Sequence, residues 1–378
     1  DFRKECKMKK DEHNIDFNLF GDYELAGCYI EITSRCNLRC KHCYNESGEL
    51  RKELDLQAFL NAYDGIPDTE ECSITLSGGE PLLHPQVWEF IDRIQKRKST
   101  KNLIITNATL ITEDIAKRLV KSGINVQISL NGSCPTTHDK LCGKGNFEKT
   151  LCGMDKLLSL GYAERVVVRC MASKYNMDDI VNTIKFVTDR GIKTINIATL
   201  SIMGRAKEAL NEMYLSIQEK EKLIEKLNKD EEIKRIKEKG FIISLPEGYS
   251  GGCPLIYPNE KKIPLSPRID SKGNVFLCQM FGDEKYAVGN INEQSIWEII
   301  EGEKFSQLIW FLRFGIQYLH KCTNCIWRMS CGKGCVAMIL NNGSIQETDG
   351  DCHFRKKEFF DKYIQRMSKN DIKAEPLT

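Results

Sequence analysis

The cysteines of this chain are its most constraining feature, because ten of the 17 fall into two spaced arrays. The first array is Cys36-x3-Cys40-x2-Cys43. The second is Cys322-x2-Cys325-x5-Cys331-x3-Cys335, with Cys352 behind it and Cys253 and Cys278 ahead of it. Thiols two or three residues apart can bind one metal centre, and in a reducing compartment this spacing favours metal ligation over disulfides. The chain is therefore predicted to fold around metal at two places.

Length and charge exclude several classes of protein. The 378 residues are enough for one large domain and a smaller one. The net charge of +2 arises from 55 basic and 53 acidic residues spread along the chain, so no nucleic-acid partner is expected. No run of 18 apolar residues is present, and the start lacks the basic-then-apolar order of a secretory signal. We expect a cytoplasmic protein with no membrane partner.

Short apolar runs alternate with helix-like stretches through the first half of the chain. The expected strands are Cys28–Thr33, Ser73–Leu76, Leu103–Thr106, Val126–Leu130, Val166–Arg169 and Ile195–Thr199. The expected helices include Val87–Lys98, Ile115–Ser122, Phe147–Leu160 and Met177–Arg190. Gly123, Gly161 and Gly191 stand where helix C-terminal caps belong. Six strand-helix units predict an α/β fold with a parallel sheet, a partial (β/α)6 barrel rather than a closed eight-stranded one.

Composition divides the chain into four segments. Residues 1–22 are expected to form an N-terminal extension, and residues 23–207 the partial barrel. Residues 208–240 are rich in Lys and Glu, which predicts a solvated helical linker. From residue 241 to residue 378 the alternation stops and Gly, Pro and Cys increase. This change predicts a C-terminal cysteine-rich domain that metal rather than an apolar core organises.

The first cysteine array follows the first strand, at the end of a barrel where strand-to-helix loops build active sites. Three thiolates match a [4Fe-4S] cluster with one iron left free, whereas a structural zinc site normally takes four protein ligands. His42 is too close to Cys43 in sequence to be a comfortable fourth ligand. We expect a [4Fe-4S] cluster on Cys36, Cys40 and Cys43, with zinc or plain packing as the alternatives.

A second motif lies one strand further on, at Ser77-Gly78-Gly79-Glu80-Pro81. Together with the cysteine array, it resembles the radical S-adenosylmethionine (radical SAM) superfamily, in which the free iron chelates the methionine amino and carboxylate groups. The resemblance implies that the backbone of Gly78, Gly79 and Pro81 and the side chain of Glu80 receive the methionine ammonium. Glycine permits close backbone approach, and a carboxylate complements a cation.

Further stretches resemble the same superfamily. Thr106-Asn107-Ala108-Thr109-Leu110 is similar to its TNGTL strand end, and Ser129-Leu130-Asn131-Gly132 to its SLDG stretch. The resemblance implies cofactor contacts at Asn107, with Ser129 and Asn131 near the ribose and the methionine carboxylate. Tyr44 and Arg169 are further candidates, with packing as the alternative, and Arg205 is expected to pair with a carboxylate. Asn131 replaces the usual Asp, and Cys142 stands where many relatives carry Arg.

The second array resembles the SPASM extension of radical SAM enzymes, which carries auxiliary iron-sulfur clusters. The resemblance implies that one cluster takes Cys322, Cys325, Cys331 and Cys352, and that the other takes Cys253, Cys278 and Cys335. Relatives with two fully ligated clusters carry a further cysteine between the positions that match Cys253 and Cys278, and residues 254–277 contain none, so the resemblance implies a second cluster with three cysteine ligands. Its fourth position is expected to be open, to take another ligand, or to belong to a smaller cluster. An open iron would bind a substrate thiolate, and a zinc ribbon is the alternative.

The resemblance implies reductive cleavage of S-adenosylmethionine to a 5'-deoxyadenosyl radical and oxidative modification of a peptide or small protein, by thioether or carbon-carbon crosslinking. It also implies a reducing electron donor such as flavodoxin or ferredoxin. The alternatives are tetrapyrrole modification, epimerisation with Cys134 or Cys142 as hydrogen donor, and a nonenzymatic electron carrier. Sulfatase maturation is less favoured because Gln279 stands where those enzymes carry Asp. No catalytic acid or base is identified.

Overall fold

The computed structural model describes residues 22–45, 47–48, 52–200, 203–244, 253, 255, 262–314, 320–331, 334–341 and 352–369. The expected N-terminal extension lies outside these residues, apart from Asp22. The ten cysteines of the two arrays all lie inside them.

The described strands form one large sheet and one small one. They are β1 (Asp22–Leu25), β2 (Gly27–Thr33), β3 (Ser73–Gly78), β4 (Leu103–Thr106), β5 (Asn125–Ser129), β6 (Val166–Ala172), β7 (Thr194–Thr199), β8 (Ile242–Ser244), β9 (Lys262–Leu265), β10 (Arg268–Ile269), β11 (Asn274–Phe276) and β12 (Gly289–Asn290). The ten-stranded sheet has the order β12-β11-β10-β2-β3-β4-β5-β6-β7-β8, and β1 pairs with β9. Strands β2 to β7 are parallel, which confirms the six predicted strands and the partial barrel.

Helices join the parallel strands and continue beyond them. The α-helices are Leu56–Asp64, Val87–Ile94, Glu113–Ser122, Pro135–Cys142, Asn146–Ser159, Ile180–Thr188, Leu210–Met213, Ile217–Lys229, Glu231–Glu238, Ile296–Ile300, Glu303–Phe314, His320–Thr323, Arg328–Cys331, Val336–Asn341 and Cys352–Lys369. Short 3-10 turns include Pro81–Leu83 and Gly204–Lys207. The three predicted capping glycines have φ values of 72°, 78° and 80°, the left-handed conformation of a C-terminal cap. None of the described helices is both long and apolar enough to cross a membrane.

The two faces of the parallel sheet differ in character. Side chains such as Ile74, Ile104 and Val168 are fully buried on one face, where they join the apolar core. On the other face, Ser129 pairs in register with Arg169, and Arg169 pairs with Asn196. Residues paired in register on neighbouring strands point to the same face, so these three polar side chains form a row. The row lies at half-buried or exposed positions, as the interior of an open barrel requires.

The large sheet continues past residue 241. β8 pairs with β7 in parallel, and β10 pairs with β2 in parallel on the opposite edge. Val275, Phe276 and Ile299 are buried in the same apolar core as the barrel. Segment 208–240 contains two longer helices whose apolar side chains are also buried in that core, so it is amphipathic and packed rather than fully solvated. The described part of the C-terminal region therefore shares its core with the barrel.

Candidate functional site

The first cysteine array lies on a loop that main-chain hydrogen bonds fold back on itself. Cys36 N donates to Gly48 O at 2.9 Å, and Cys43 N donates to Cys40 O at 3.2 Å. Arg205, in the 3-10 turn after β7, binds this loop. It donates from Nε to Cys40 O at 3.0 Å and from its NH1 group to Ser47 O at 2.9 Å. The contacts described for this guanidinium are thus to main-chain carbonyls, not to the carboxylate that the sequence suggested. Arg205 shapes the loop that carries the thiols.

The three thiols of the loop are half-buried. Burial is the main cause that raises the pKa of Cys36 to about 12, and the neighbouring Glu80, Cys40 and Cys43 raise it further. A hydrogen bond with Cys142, followed by burial, holds the pKa of Cys40 well above its usual value. Thiols deprotonate when metal binds them, so a metal would reverse both shifts. The donor set of three thiols on one loop fits a [4Fe-4S] cluster.

Cys142 is a neighbour that spacing in the sequence did not reveal. The sulfur atoms of Cys40 and Cys142 and a ring nitrogen of His42 all lie within 4.8 Å of one another. Burial lowers the pKa of His42 to about 4, and its Nδ1 has no hydrogen-bond partner. These three atoms could hold a single metal ion, whereas the thiols of a four-iron cluster bind different irons and lie farther apart. The described residues therefore offer two overlapping metal arrangements.

The glycines of the second motif pack against the start of the cysteine loop. A Cβ on Gly78 would lie 2.2 Å from Thr33 O, and a Cβ on Gly79 would lie 2.1 Å from Arg35 O. Gly79 N donates to Thr33 O, and Glu80 N to Arg35 O, both at 2.7 Å. Gly78 also has a φ of 138°, which favours glycine. The close backbone approach expected here is thus made to the chain itself, and it joins the two motifs into one unit.

Glu80 is fully buried at the end of β3. Its carboxylate accepts hydrogen bonds from Thr106 Oγ1 at 2.8 Å, Asn107 N at 2.8 Å and Leu82 N at 3.2 Å. Burial raises the pKa of Glu80 to about 7, against the opposing effect of these three donors. A carboxylate has about four lone-pair positions, so one position remains for a cation. Pro81 begins the 3-10 turn that Glu80 caps.

Asn107, directly after β4, connects Glu80 behind β3 with the cysteine loop. Its Nδ2 donates to Asn37 Oδ1 at 3.0 Å and lies 4.0 Å from Cys36 Sγ. Its Oδ1 accepts from the backbone and hydroxyl of Thr109. Ala108, where TNGTL has glycine, adopts a φ of 61°. The predicted residues Asn107, Glu80 and Cys36 are therefore brought together in one place.

The remaining predicted cofactor contacts fall into two kinds. Ser129 and Arg169 lie side by side on the open face of the sheet. Asn131 is only 1 % exposed, and its side chain accepts from Met171 N at 2.8 Å and donates to Cys142 Sγ at 3.2 Å. Ser129 and Arg169 can therefore reach a ligand, whereas the Asn131 side chain serves the loops around it.

Tyr44, the residue after the cysteine array, is held in a buried polar network. Its hydroxyl lies 2.8 Å from Tyr29 Oη and donates to Glu31 Oε1 at 3.2 Å. Burial is the main cause that holds the pKa of Tyr44 well above its usual value. Glu31 accepts from Arg268 Nε at 2.8 Å and from its NH2 group at 2.7 Å. No motif pointed to Glu31 or Arg268, because neither belongs to a spaced pattern.

The C-terminal cysteines form two separate groups. Cys322, Cys325, Cys331 and Cys352 line one small cavity, together with Trp327, Arg328 and Lys356 among others. Burial raises the pKa of Cys322, and the other three thiols of this group raise it further. We name these residues the four-cysteine group. Four thiols around one cavity fit an iron-sulfur cluster or one zinc ion.

The second group contains Cys278, Cys335 and Cys253. Burial raises the pKa of Cys278 to about 12, and both other thiols are close enough to raise it further. We name these the three-cysteine group. Residues 254 and 256–261, which include part of the cysteine-free stretch, lie outside the described residues. The structure thus places these seven cysteines in groups of four and three, and their assignment as the ligand sets of two clusters stays a prediction.

Comparison with protein families decides the class. The model of the radical SAM superfamily matches residues 30–187, which contain the first array, Glu80 and Asn107. The chain belongs to the radical SAM superfamily. A second model, SPASM, described as an iron-sulfur cluster-binding domain, matches residues 266–326. The protein is thus a radical SAM enzyme, and these families support S-adenosylmethionine and iron-sulfur clusters as its cofactors.

Three curated relatives span most of this radical SAM chain. AdoMet-dependent heme synthase of Methanosarcina barkeri is 27% identical over 86% of this chain and 95% of its own length. Mycofactocin maturase MftC of Mycolicibacterium smegmatis is 25% identical over 85% of this chain and 81% of its own length. The antilisterial bacteriocin subtilosin biosynthesis protein AlbA of Bacillus subtilis is 28% identical over 89% and 72%. Relatives of this radical SAM protein thus include peptide maturases and a tetrapyrrole enzyme.

Two solved structures share the fold. The structure of anSMEcpe with bound AdoMet and Kp18Cys peptide has a TM-score of 0.68 and 20% identity, and the match covers 90% of this chain and 97% of that one. The structure of Streptococcus suis SuiB bound to precursor peptide SuiA has a TM-score of 0.65 and 17% identity. The match covers 86% of this chain and 75% of SuiB. The radical SAM fold therefore extends over most of the chain, including the C-terminal region.

Proposed function

We propose that this radical SAM enzyme oxidatively crosslinks a peptide substrate, forming a thioether or a carbon-carbon bond. The observation that carries the proposal is the division of the C-terminal cysteines into a four-cysteine group and a three-cysteine group, both apart from the first array. Two extra clusters are useful to a reaction that must remove electrons from its substrate. The relatives MftC and AlbA are, by their names, a mycofactocin maturase and a bacteriocin biosynthesis protein, and SuiB, which shares the fold, was solved with a precursor peptide; these likenesses support a peptide substrate.

In this proposal Cys36, Cys40 and Cys43 hold a [4Fe-4S] cluster. Glu80, through its remaining lone-pair position, attracts the methionine ammonium of S-adenosylmethionine, and the turn Gly78–Pro81 holds Glu80 in place. The further contacts are assigned to Asn107, Ser129 and Arg169, whereas Tyr44 and Asn131, whose side chains hydrogen-bond to neighbouring residues, are assigned the support of the loops around the cofactor. When both are bound, cluster and cofactor supply a 5'-deoxyadenosyl radical that removes a hydrogen atom from the substrate. The open sheet face bearing Ser129 and Arg169 orients cofactor and substrate for this step.

We assign one auxiliary cluster to the four-cysteine group and a second to the three-cysteine group. With three cysteine ligands, the second cluster has a position for a substrate thiolate, and metal binding would lower the pKa of that thiol. Forming a thioether removes one hydrogen atom from carbon, one proton from the thiol and one electron. Clusters held by the four-cysteine group and the three-cysteine group would accept that electron, and a flavodoxin or ferredoxin would supply the separate electron that cofactor cleavage consumes.

The test uses the full chain, purified and reconstituted with iron and sulfide without oxygen. It is incubated with dithionite, S-adenosylmethionine and a cysteine-containing peptide encoded beside its gene. The expected products are 5'-deoxyadenosine and a peptide that mass spectrometry finds lighter by two hydrogens for each crosslink. A variant with Cys36, Cys40 and Cys43 changed to Ala is expected to yield neither. Cofactor cleavage without any change in the mass of the peptide would contradict the proposal.

Tetrapyrrole modification is the second candidate, because the heme synthase of Methanosarcina barkeri matches over 95% of its own length. The same reconstituted protein is incubated with an iron porphyrin bearing propionate side chains. Loss of carbon dioxide from the porphyrin, with an unmodified peptide, would favour this function. A modified peptide with an intact porphyrin supports the peptide crosslinking enzyme.

A further inference from the structure

A buried polar network connects the two cofactor motifs with the three-cysteine group. It begins at Ser77, the residue before Gly78, whose Oγ lies 2.6 Å from Tyr29 Oη. Tyr29 Oη lies 2.8 Å from the hydroxyl of Tyr44, which donates to Glu31. Tyr44 follows Cys43 directly, so the network reaches both the turn Gly78–Pro81 and the first cysteine loop.

Arg268 carries the network across the sheet. Its guanidinium makes two parallel hydrogen bonds to Glu31, at 2.8 Å and 2.7 Å, and donates to Asn45 Oδ1 at 3.1 Å. The third side of the guanidinium donates to Phe281 O at 2.6 Å. Phe281 N in turn donates to Cys278 O at 3.3 Å, so its carbonyl belongs to the turn that carries Cys278. One side chain therefore holds Asn45, close after the first array, and the Cys278 turn at the same time.

The ion pair between Arg268 and Glu31 is buried, so each charge depends on the other for compensation. Arg268 is 5% exposed and Glu31 is 4% exposed, although the two residues are 237 positions apart. A planar guanidinium fixes direction as well as distance, which an ammonium does not. Removing one partner of such a pair leaves a buried charge without compensation. A purely structural link between the strands would need only the pair with Glu31, whereas this guanidinium also donates to Asn45, behind the first array, and to Phe281 O in the turn that carries Cys278.

We propose that Arg268 is a positioning residue that fixes the Cys278 turn relative to the first cysteine loop. This inference rests on the proposed function and deepens it. Arg268 sets the distance between the place where the substrate radical forms and the place where the three-cysteine group receives the electron. Changes of about 1 Å in such a geometry can reduce the rate of a step roughly a hundredfold. Loss of Arg268 therefore uncouples cofactor cleavage from peptide oxidation.

The test compares Arg268→Gln and Arg268→Lys with Arg97→Gln. Arg97 is a matched control because it is also buried and also donates to main-chain carbonyls, those of Ile66 and Pro67, at a place distant in sequence from every cysteine array. In Arg268→Gln the amount of modified peptide per 5'-deoxyadenosine is expected to fall roughly tenfold or more. Arg268→Lys keeps the positive charge but loses the planar pair of donors that binds Glu31, and we expect an intermediate ratio of modified peptide to 5'-deoxyadenosine. Arg97→Gln is expected to keep the wild-type ratio.

A second measurement uses cluster-free protein and does not depend on activity. Cysteine labelling by iodoacetamide is followed by mass spectrometry, with the fully buried Cys170 as an internal reference for global unfolding. In both Arg268 variants Cys278 is expected to react faster relative to Cys170, and in Arg97→Gln it is not. If the wild-type enzyme modifies no peptide, the proposed function fails, and this labelling still decides the role of Arg268. Unchanged Cys278 labelling and an unchanged product ratio in both Arg268 variants would overturn the inference, as would equal effects in Arg97→Gln.

Discussion

The side-chain amide of Asn131 donates a hydrogen bond to the sulfur of Cys142 at 3.2 Å, and both residues are buried. These are the two positions at which the chain departs from the Asp and Arg that many radical SAM relatives carry. The departures are therefore in contact, and here a neutral amide and thiol occupy both positions. Cys142 in turn lies beside Cys40, so this pair adjoins the first cysteine loop.

We expect the two substitutions that restore the family residues to be coupled. Asn131→Asp places a carboxylate at a site that is 1% exposed, and the free energy of unfolding is expected to fall by about 3 kcal/mol. Cys142→Arg alone is expected to destabilise as well, whereas the double variant recovers part of the loss because the charges pair. Urea unfolding of cluster-free protein measures all three, with the exposed Cys152→Arg as control. Strict additivity of the two single effects would rule out the coupling.

Gly79→Ala is expected to disrupt the cysteine loop. The new Cβ would lie 2.1 Å from Arg35 O, so the backbone on one side must move, at a cost of about 1–3 kcal/mol or more. Both the stability of the protein and iron uptake by the first array should fall, because the displaced Arg35 directly precedes Cys36. The measurement is the melting temperature together with iron content. Gly161→Ala is the control: a Cβ there meets nothing within 4 Å, so its cost comes only from its positive φ of 78° and should leave the iron content unchanged. Equal effects of the two substitutions would contradict this prediction.

Binding of S-adenosylmethionine is expected to depend on pH through Glu80. Its pKa is raised to about 7 by burial, so the carboxyl is neutral below that pH and ionised above it. Only the ionised form attracts the methionine ammonium, and affinity should be about tenfold lower near pH 6 than near pH 8. Equilibrium binding to protein with an oxidised first cluster measures this dependence. Glu80→Gln is expected to bind more weakly at every pH, without the slope, and a wild-type affinity that does not vary would refute the assignment.

The two C-terminal cysteine groups are expected to lose iron independently. Cys352→Ser should remove the cluster of the four-cysteine group, so anaerobically reconstituted protein holds about four fewer irons per chain. Cys335→Ser should affect the three-cysteine group alone. Iron analysis and electron paramagnetic resonance distinguish the two, because each variant is expected to lose a different component of the spectrum. Cys152→Ser, which belongs to neither group, should lose no iron. Loss of both components from either single variant would show that the groups are not separate.

The six barrel strands could be predicted because each is a short apolar run bounded by turn residues, and packing under helices rewards that pattern. β10 and β12 have two residues each and β8 and β11 have three, so no periodicity marks them. Their place in the sheet depends on partners far away in the chain. The expectation that metal rather than an apolar core organises the C-terminal region did not foresee Val275 and Phe276 in the common core.

The cysteines and Glu80 were predictable because motifs of fixed spacing carry them. The partners that give these residues their environment were not. Cys142 reaches Cys40 only because the helix Pro135–Cys142 folds back over the loop, where Lys41 N donates to Leu141 O at 2.9 Å. Glu31 and Arg268 are ordinary charged residues in sequence, and only the pairing of β10 with β2 brings them together. Local pattern indicates candidate ligands, whereas tertiary contact determines what surrounds them.

The pairing of β10 with β2 has a consequence for how the protein is made. Strands β2 to β7 leave the ribosome in the order in which they pair, so that side of the sheet can form during synthesis. The other edge of β2 must wait for a strand from the last third of the chain, and an unpaired edge is a template for misassembly. The loop with Cys36, Cys40 and Cys43 begins where β2 ends. A nascent chain thus presents its first cluster site beside an unfinished edge, and a cell that loads iron there during translation does so before the fold can shield it.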